Sequence, residues 1–423
     1  MGKTSQLPGF YKLSPEDRLK VVKEFAGLTD EEMEILRSTG PLKLEQANRM
    51  IENVIGTTGV PLGIAVNFFI NGKDYLIPMA IEEPSVVAAA SNAARMARVK
   101  GGFRTSSTEP VMIGQIQLTG VKNPSKAKDA IISKKEKIIE IANEQDPMLV
   151  KLGGGTKGLE VRILDTSSGS MVIVHLLVDT RDAMGANVVN TMVEAVAPFI
   201  ERVTGGKVYL RIVSNLADLR LARADVIFAK EALEGEEVVD GIIEAYEFAA
   251  ADPYRCTTHN KGIMNGIVAI ALATGNDTRA LEAGAHSFAA MNGRYKPLTT
   301  WKKTPEGDLL GRIELPMAVG IIGGTTAVHP VAKICLKILG VKTARELGEV
   351  MAAVGLAQNL AALRAMVTDG IQRGHMKLHA RNIAVMAGAK GELIDEVAER
   401  LVRERKVRLD RAKEILQEIQ GRG

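Results

Sequence analysis

The sequence predicts an α+β protein with a large unit, a small inserted unit and a helical tail. Three observations predict it. Residues 78–85, PMAIEEPS, lead into a stretch with alanine at 88, 89, 90, 93, 94 and 97, a helix slim enough for other backbone to approach and so suited to the centre of a core. Residues 110–216 read as β-α-β-β-α-β, the split βαβ or ferredoxin-like arrangement. Residues 392–420 read as a charged amphipathic helix pair, set off by Gly388 and Gly391. Long apolar segments resume at 217. The large unit is therefore discontinuous, 1–109 and 217–374, with 110–216 inserted and 375–423 as the tail.

Composition narrows the class. A chain of 423 residues is long enough for about two to three domains and a large core. Hydrophobic residues make up 46% and charged residues 25%, ordinary for a soluble globular protein. The net charge of +4 is small, its charges are interleaved and aromatics are 4%, which argues against a nucleic-acid partner. Two cysteines imply no disulfide framework. The first residues lack a signal-peptide core, and no uninterrupted apolar run is of membrane-spanning length. A cytoplasmic protein without a membrane partner is the expectation.

In chain order, Ser14-Pro15-Glu16-Asp17 starts one helix with a cap, a proline and two acids, and Thr29-Asp30-Glu31-Glu32 starts another. Residues 63–70 and 74–80 read as strands joined by the hairpin dipeptide Asn71-Gly72. The second strand delivers Glu82 and Glu83. Pro84 is expected as the first helical residue, which leaves Glu83 in the turn. Two acids there either complement the helix N-terminus or act in a site. Residues 101–110 read as a linker. In the inserted unit, strands are expected at 111–118, 159–164, 171–178 and 208–213, with helices at 124–143 and 187–203.

Two glycine clusters fall inside it. Residues 153–158, GGGTKG, formally match GxGxxG, but a strand follows where a dinucleotide fingerprint needs a helix, so they are discounted. Asp182, Ala183, Met184, Gly185, Ala186 and Asn187 follow a strand and open a helix, where backbone amides can hold a phosphate; a plain glycine turn is the alternative. Further on, the polar run 252–266 leads into IVAIALATG. Lys261 at its edge is expected to be partly buried and in need of a partner, with Asp277 the nearest candidate downstream. Residues 320–330 read as a loop and 343–367 as helix. His375 and His379 are four apart, but the glutamate of a zinc helix is missing and no metal is expected. The tail with His375 at its root is either a mobile lid or a packing element.

Glu83, Lys261, Asp277 and His375 are thus placed at the ends of regular elements on four segments. Together they suit reductive carbonyl chemistry. An ammonium holds a developing oxyanion, a protonated carboxyl donates to it, and a histidine protonates a leaving group.

The motifs ENVIG (52–56), PMAIEEPSVVAAAS (78–91), DAMGAN (182–187), THNKGIMNG (258–266), ATGND (273–277) and GHMKLHARN (374–382) occur in the order found in class II 3-hydroxy-3-methylglutaryl-coenzyme A (HMG-CoA) reductases, the soluble bacterial and archaeal form. The chain resembles that family over essentially its whole length. The resemblance implies two hydride transfers that take HMG-CoA to mevalonate and free CoA, or the reverse oxidation. By motif match, Lys261 stabilises the carbonyl oxygen, Glu83 supplies a proton, Asp277 lies between them and tunes both, and His375 on a C-terminal flap protonates the departing thiolate. Ser85, Arg255 and Asn265 match positions that hold the hydroxymethylglutaryl group. The same resemblance makes the large unit a substrate and CoA domain. It places the dinucleotide on the small unit, at Asp182–Asn187 and near Asn215. It also implies a homodimer, or an assembly of dimers, with active sites at the subunit interface and ENVIG in the shared region. Asp146 matches an acid of NAD-preferring relatives, which favours NADH over NADPH because a carboxylate repels a 2′-phosphate. Tyr11 stands where a close relative type has an arginine for a CoA phosphate, with Lys12 beside it to take over.

Overall fold

The structure is a computed structural model that describes residues 3–368 and 371–420, with the side chains of 371–378 excepted. The chain opens with α1 (Pro15–Ala26), α2 (Asp30–Arg37) and α3 (Leu44–Ala47). Ser14 caps α1 by accepting from the Asp17 amide, as expected, and Thr29 and Glu32 form a capping box on α2. Residues 52–61 then run exposed and without regular structure, except for half-buried Val54. The hairpin β1 (Leu62–Ile70) and β2 (Lys73–Ala80) turns at Asn71 and Gly72, whose φ angles of 48° and 80° suit that dipeptide.

Next come α4 (Val86–Ala97) and β3 (Phe103–Ser107). Residues 111–214 contain β4 (Val111–Thr119), α5 (Pro124–Ser133), α6 (Lys135–Asn143), α7 (Pro147–Lys151), β5 (Gly155–Thr166), β6 (Gly169–Asp179), α8 (Ala186–Thr204) and β7 (Lys207–Ser214). The chain returns through β8 (Leu221–Phe228), α9 (Glu236–Ala251), α10 (Pro253–Ala273), α11 (Thr278–Ala290), β9 (Thr299–Lys303) and β10 (Leu309–Pro316). It ends with α12 (Gly324–Val328), α13 (Pro330–Leu339), α14 (Ala344–Val367), α15 (Ile371–Met386), α16 (Leu393–Arg403) and α17 (Leu409–Gln420).

Two sheets organise these elements. The larger has the order β2-β1-β3-β8-β10-β9, and α4, α10 and α14 pack against it and one another. The smaller has the order β5-β6-β4-β7 with antiparallel pairings, which is the ferredoxin-like arrangement. Each sheet has its own hydrophobic core, and α15–α17 enclose a third around Val397, Leu401 and Ile415. Helix α14 is long and apolar enough to cross a bilayer, but 67% of its apolar window is buried inside the fold, so it reads as a core helix.

Several expectations need correction. The stretch expected as a linker contains β3, an inner strand of the larger sheet between β1 and β8. Its polar sequence is satisfied from α14, because the hydroxyls of Thr105 and Ser107 donate to the Glu349 carboxylate at 3.0 and 2.6 Å. The single helix expected over 124–143 is two, broken at Lys134 with φ −107° and ψ 16°. The loop 320–330 includes the one-turn helix α12. Pro84 is not helical. Helix α4 starts at Val86 after a left-handed Ser85, φ 73°, which lifts the turn carrying Glu83 clear of the helix.

Candidate active site

Helix α10 positions the first functional group. Asp252 caps it, its carboxylate accepting from the Arg255 amide at 2.7 Å. Cys256, His259, Asn260, Ile263, Met264 and Ile267 face the core. The opposite stripe, spaced three to four residues, carries Thr257, Lys261 and Asn265. Lys261 is therefore not buried as expected; its side chain is 60% exposed in the single chain.

Its partner also differs from the expectation. Lys261 Nζ donates to Glu83 Oε2 at 3.0 Å, and Asn265 Nδ2 reaches the same oxygen at 3.4 Å. Asp277 instead caps α11, its Oδ1 accepting from the amides of Arg279 and Ala280 at 2.9 and 3.1 Å while Oδ2 pairs with the Arg279 guanidinium at 3.1 Å. An exposed ion pair such as Lys261–Glu83 contributes about 0.2–1 kcal/mol to stability, too little to account for the turn that presents it. Ser85 next to it holds a left-handed backbone that costs a non-glycine residue on the order of 1–3 kcal/mol, strain of a kind that clusters at functional sites.

Buried side chains hold Lys261 in place. His259 Nε2 lies 2.7 Å from Thr299 Oγ1, whose hydroxyl donates to Asn359 Oδ1 at 2.9 Å. Trp301 Nε1 donates to the same oxygen at 2.8 Å. With the Thr299 proton committed to Asn359, Nε2 is the protonated ring nitrogen. Burial, aided by the nearby Arg255 charge, pushes His259 down to about 3 and keeps the ring neutral. Asn260 ties α10 to the loop before β9, donating to the Lys296 carbonyl at 2.9 Å and accepting from the Leu298 amide at 3.0 Å.

Arg255 is half-buried, and its guanidinium lies 3.6 Å from the Met366 sulfur at the end of α14. Burial lowers its pKa from the ordinary value. Among the described residues no carboxylate pairs with it, which suits a carboxylate-bearing ligand. His375 belongs to α15, but its side chain lies outside the described residues.

The 182–187 loop packs against two others. Ala183 forms a parallel bridge with Ile322, the Ile321 amide donates to the Asp182 carbonyl at 2.9 Å, and a Cβ on Gly320 would lie 2.5 Å from the Met184 nitrogen. Gly320 N in turn donates to Asn276 Oδ1 at 2.8 Å, and Thr326 Oγ1 donates to the Thr274 carbonyl at 3.0 Å. One bonded path thus joins this loop to the turn carrying Asp277. Asn215 is exposed, and its carbonyl lies against α11 at Gly284.

The sequence motif is divided in its duties. The Asp182 carboxylate serves the fold by accepting from the Ala344 amide at the start of α14, 2.8 Å. Gly185, φ 102°, opens α8 without a side-chain cap, so the first amides of a nineteen-residue helix are left for another acceptor. Asp146 caps α7, accepting from the Leu149 amide at 2.9 Å through one of its two oxygens. Arg220, absent from the sequence reading, is buried beneath the loop. It lies in LADLRLARA between Asp218 and Arg223, so nothing local in the sequence marks it as the buried charge. Among the described residues no group of three or more His, Cys, Asp or Glu gathers as a metal site.

Comparison with known proteins places the chain in a family. Residues 14–380 match the profile of the hydroxymethylglutaryl-coenzyme A reductase family. A 3-hydroxy-3-methylglutaryl-coenzyme A reductase of Archaeoglobus fulgidus is 66% identical over 418 residues, 99% of this chain and 95% of the relative. The reductase structure from Streptococcus pneumoniae superposes with a TM-score of 0.83 at 41% identity, covering 97% of this chain and 99% of that one. A second structure of a class II enzyme from that organism, described as bound to NADPH in open conformations, has a TM-score of 0.82 at 40% identity and covers 96% of this chain and 100% of that one.

Proposed function

The chain belongs to the hydroxymethylglutaryl-coenzyme A reductase family, and from that premise we propose how its residues divide the work. It is an oxidoreductase that reduces HMG-CoA to mevalonate and free CoA. The observation that carries the assignment of roles is the Lys261–Glu83 contact at 3.0 Å, exposed beside the left-handed Ser85.

Lys261 holds the negative charge that develops on the substrate's carbonyl oxygen, first at the thioester and then at the aldehyde. Glu83 returns a proton to that oxygen. Asn265, within 3.4 Å of Glu83, and Ser85 orient the hydroxymethylglutaryl group, and Arg255 takes its free carboxylate. Asp277 acts from the start of α11, through the turn it shares with Asn276. His375, at the root of the C-terminal flap 375–423, protonates the CoA thiolate as it leaves.

A nicotinamide dinucleotide supplies the hydride. The loop at 182–187 fits its diphosphate, because the uncapped start of α8 lies over the buried Arg220 guanidinium. Asn215 belongs to the same side. The unit 110–216 is the nucleotide domain, while 1–109 and 217–374 bind substrate and CoA. Asp146 favours NADH through the oxygen left over from its cap; NADPH, to which the streptococcal structure is described as bound, is the alternative electron source.

The protein works as a homodimer with the active site at the interface. The exposed segment that carries ENVIG supports this, with Ile51 66% and Ile55 99% exposed, as does the open stripe of α10 from Tyr254 through Lys261 to Leu272. The two free, buried cysteines and the buried α14 fit the cytoplasm.

The test mixes the purified protein with HMG-CoA and NADH, then NADPH, and follows nucleotide and free thiol together. Two reduced nucleotides consumed per thiol released is the expected result. No consumption with either nucleotide would leave a protein that has kept the fold without the reaction, or a reductase of another acyl-CoA.

A further inference from the structure

Arg220 is only 4% exposed, and its bonding partners are all neutral. Nη1 donates to Thr180 Oγ1 at 3.0 Å, to the Ala183 carbonyl at 3.1 Å and to the Met184 carbonyl at 2.9 Å; Nη2 donates to the Val319 carbonyl. A buried guanidinium ordinarily takes a carboxylate. Here the nearest carboxylates, Asp179 and Asp182, act only at a distance. Asp179 is shared by Arg181 at 3.2 Å and Lys157 at 3.8 Å, and Asp182 accepts from the Ala344 amide. Both carboxylates are thus engaged elsewhere, and the buried Arg220 charge is met only by neutral hydrogen-bond acceptors. Burial pushes Arg220 down to about 10, so it stays charged at neutral pH.

The geometry has a second effect. In a trans peptide the carbonyl and the N–H point in opposite directions. Drawing the Met184 carbonyl toward Arg220 turns the Gly185 N–H away from it, at the N-terminal end of α8. Through Val319 the same guanidinium braces the strand of backbone whose next residue, Gly320, donates to Asn276 beside Asp277.

We propose that Arg220 is a positioning residue for the dinucleotide: it fixes the backbone of the 182–187 loop for a diphosphate and supplies the buried positive charge that the diphosphate complements. This rests on the reading that the 182–187 loop holds the nucleotide.

The test uses full-length wild type, Arg220→Lys and Arg220→Met. Binding of NADH, NADPH and ADP-ribose, which carries the diphosphate without the nicotinamide, is measured by titration. Hydrogen exchange is followed over residues 182–188 with and without ADP-ribose. Arg220→Met should weaken all three ligands about tenfold or more, a loss of the size expected for charge-assisted bonds. Arg220→Lys, which keeps the charge and loses the fork, should weaken them less but measurably. KM for HMG-CoA should not change in either variant. A folded Arg220→Met protein that binds ADP-ribose like wild type overturns the proposal. If Arg220→Met does not fold, unchanged ADP-ribose binding by Arg220→Lys overturns it. If wild type binds ADP-ribose without protection at 182–188, the nucleotide reading of that loop is what fails.

Discussion

The Lys261 ammonium lies 3.0 Å from the carboxylate of Glu83, 178 residues earlier in the chain. One comes from the exposed stripe of a helix and the other from a turn held by a left-handed serine. The pair is accessible from solvent in the single chain, which leaves room for a carbonyl oxygen to reach the ammonium.

Lys261→Ala should lower kcat for HMG-CoA and for the intermediate aldehyde alike, by about a thousandfold or more, since an oxyanion donor acts in both reductions. Because the ion pair is exposed, Tm should stay within a degree or two of wild type. Activity on either substrate within tenfold of wild type would remove Lys261 from the chemistry.

His375→Gln should separate the two halves of the reaction. Thioester reduction releases a thiolate and should fall by about a hundredfold, the scale of general acid catalysis, while aldehyde reduction falls little. Steady-state assays on each substrate decide it. Equal losses would assign His375 some other role.

His259 predicts an acid-sensitive fold. Its folded pKa of about 3 lies below the unfolded value near 6.5, so the unfolded chain binds the extra proton. Its contribution is full above pH 6.5 and is lost as pH falls toward 3, on the order of 4–5 kcal/mol in total. His259→Gln keeps a donor for Thr299 and has no ring to protonate. Its stability should therefore fall less steeply than wild type between pH 6.5 and 4 in denaturant titrations. Parallel slopes would show that another group controls acid unfolding.

Asp146→Ala should raise kcat/KM with NADPH relative to NADH by about tenfold, through loss of a repulsion at the 2′ position. Loss of its bond to the Leu149 amide should also cost about 1 kcal/mol of stability. A destabilised variant with an unchanged cofactor ratio would make Asp146 a helix cap and nothing more.

Much of this was legible because it depends on neighbours in the chain. Asn71-Gly72 specifies its turn through two positive φ angles, Ser14 and Thr29 cap their helices three residues ahead, and the succession of elements in 111–214 closes into the sheet order it implies. The motifs that name the family are also local strings. Partnerships across the fold were not legible. Sequence proximity suggested Asp277 for Lys261, whereas packing of α10 beside the end of β2 supplied Glu83 and left Asp277 to cap α11. The polar strand β3 looked like a linker until Glu349 on α14 satisfied its hydroxyls. Arg220 looked like one arginine among many, and only the convergence of two loops on it gives its charge a place. Local geometry, fold class and family follow from residues that are neighbours in the chain. The tertiary structure decided which charges meet, because burial and ion pairing depend on distance in space, to which separation along the chain is no guide.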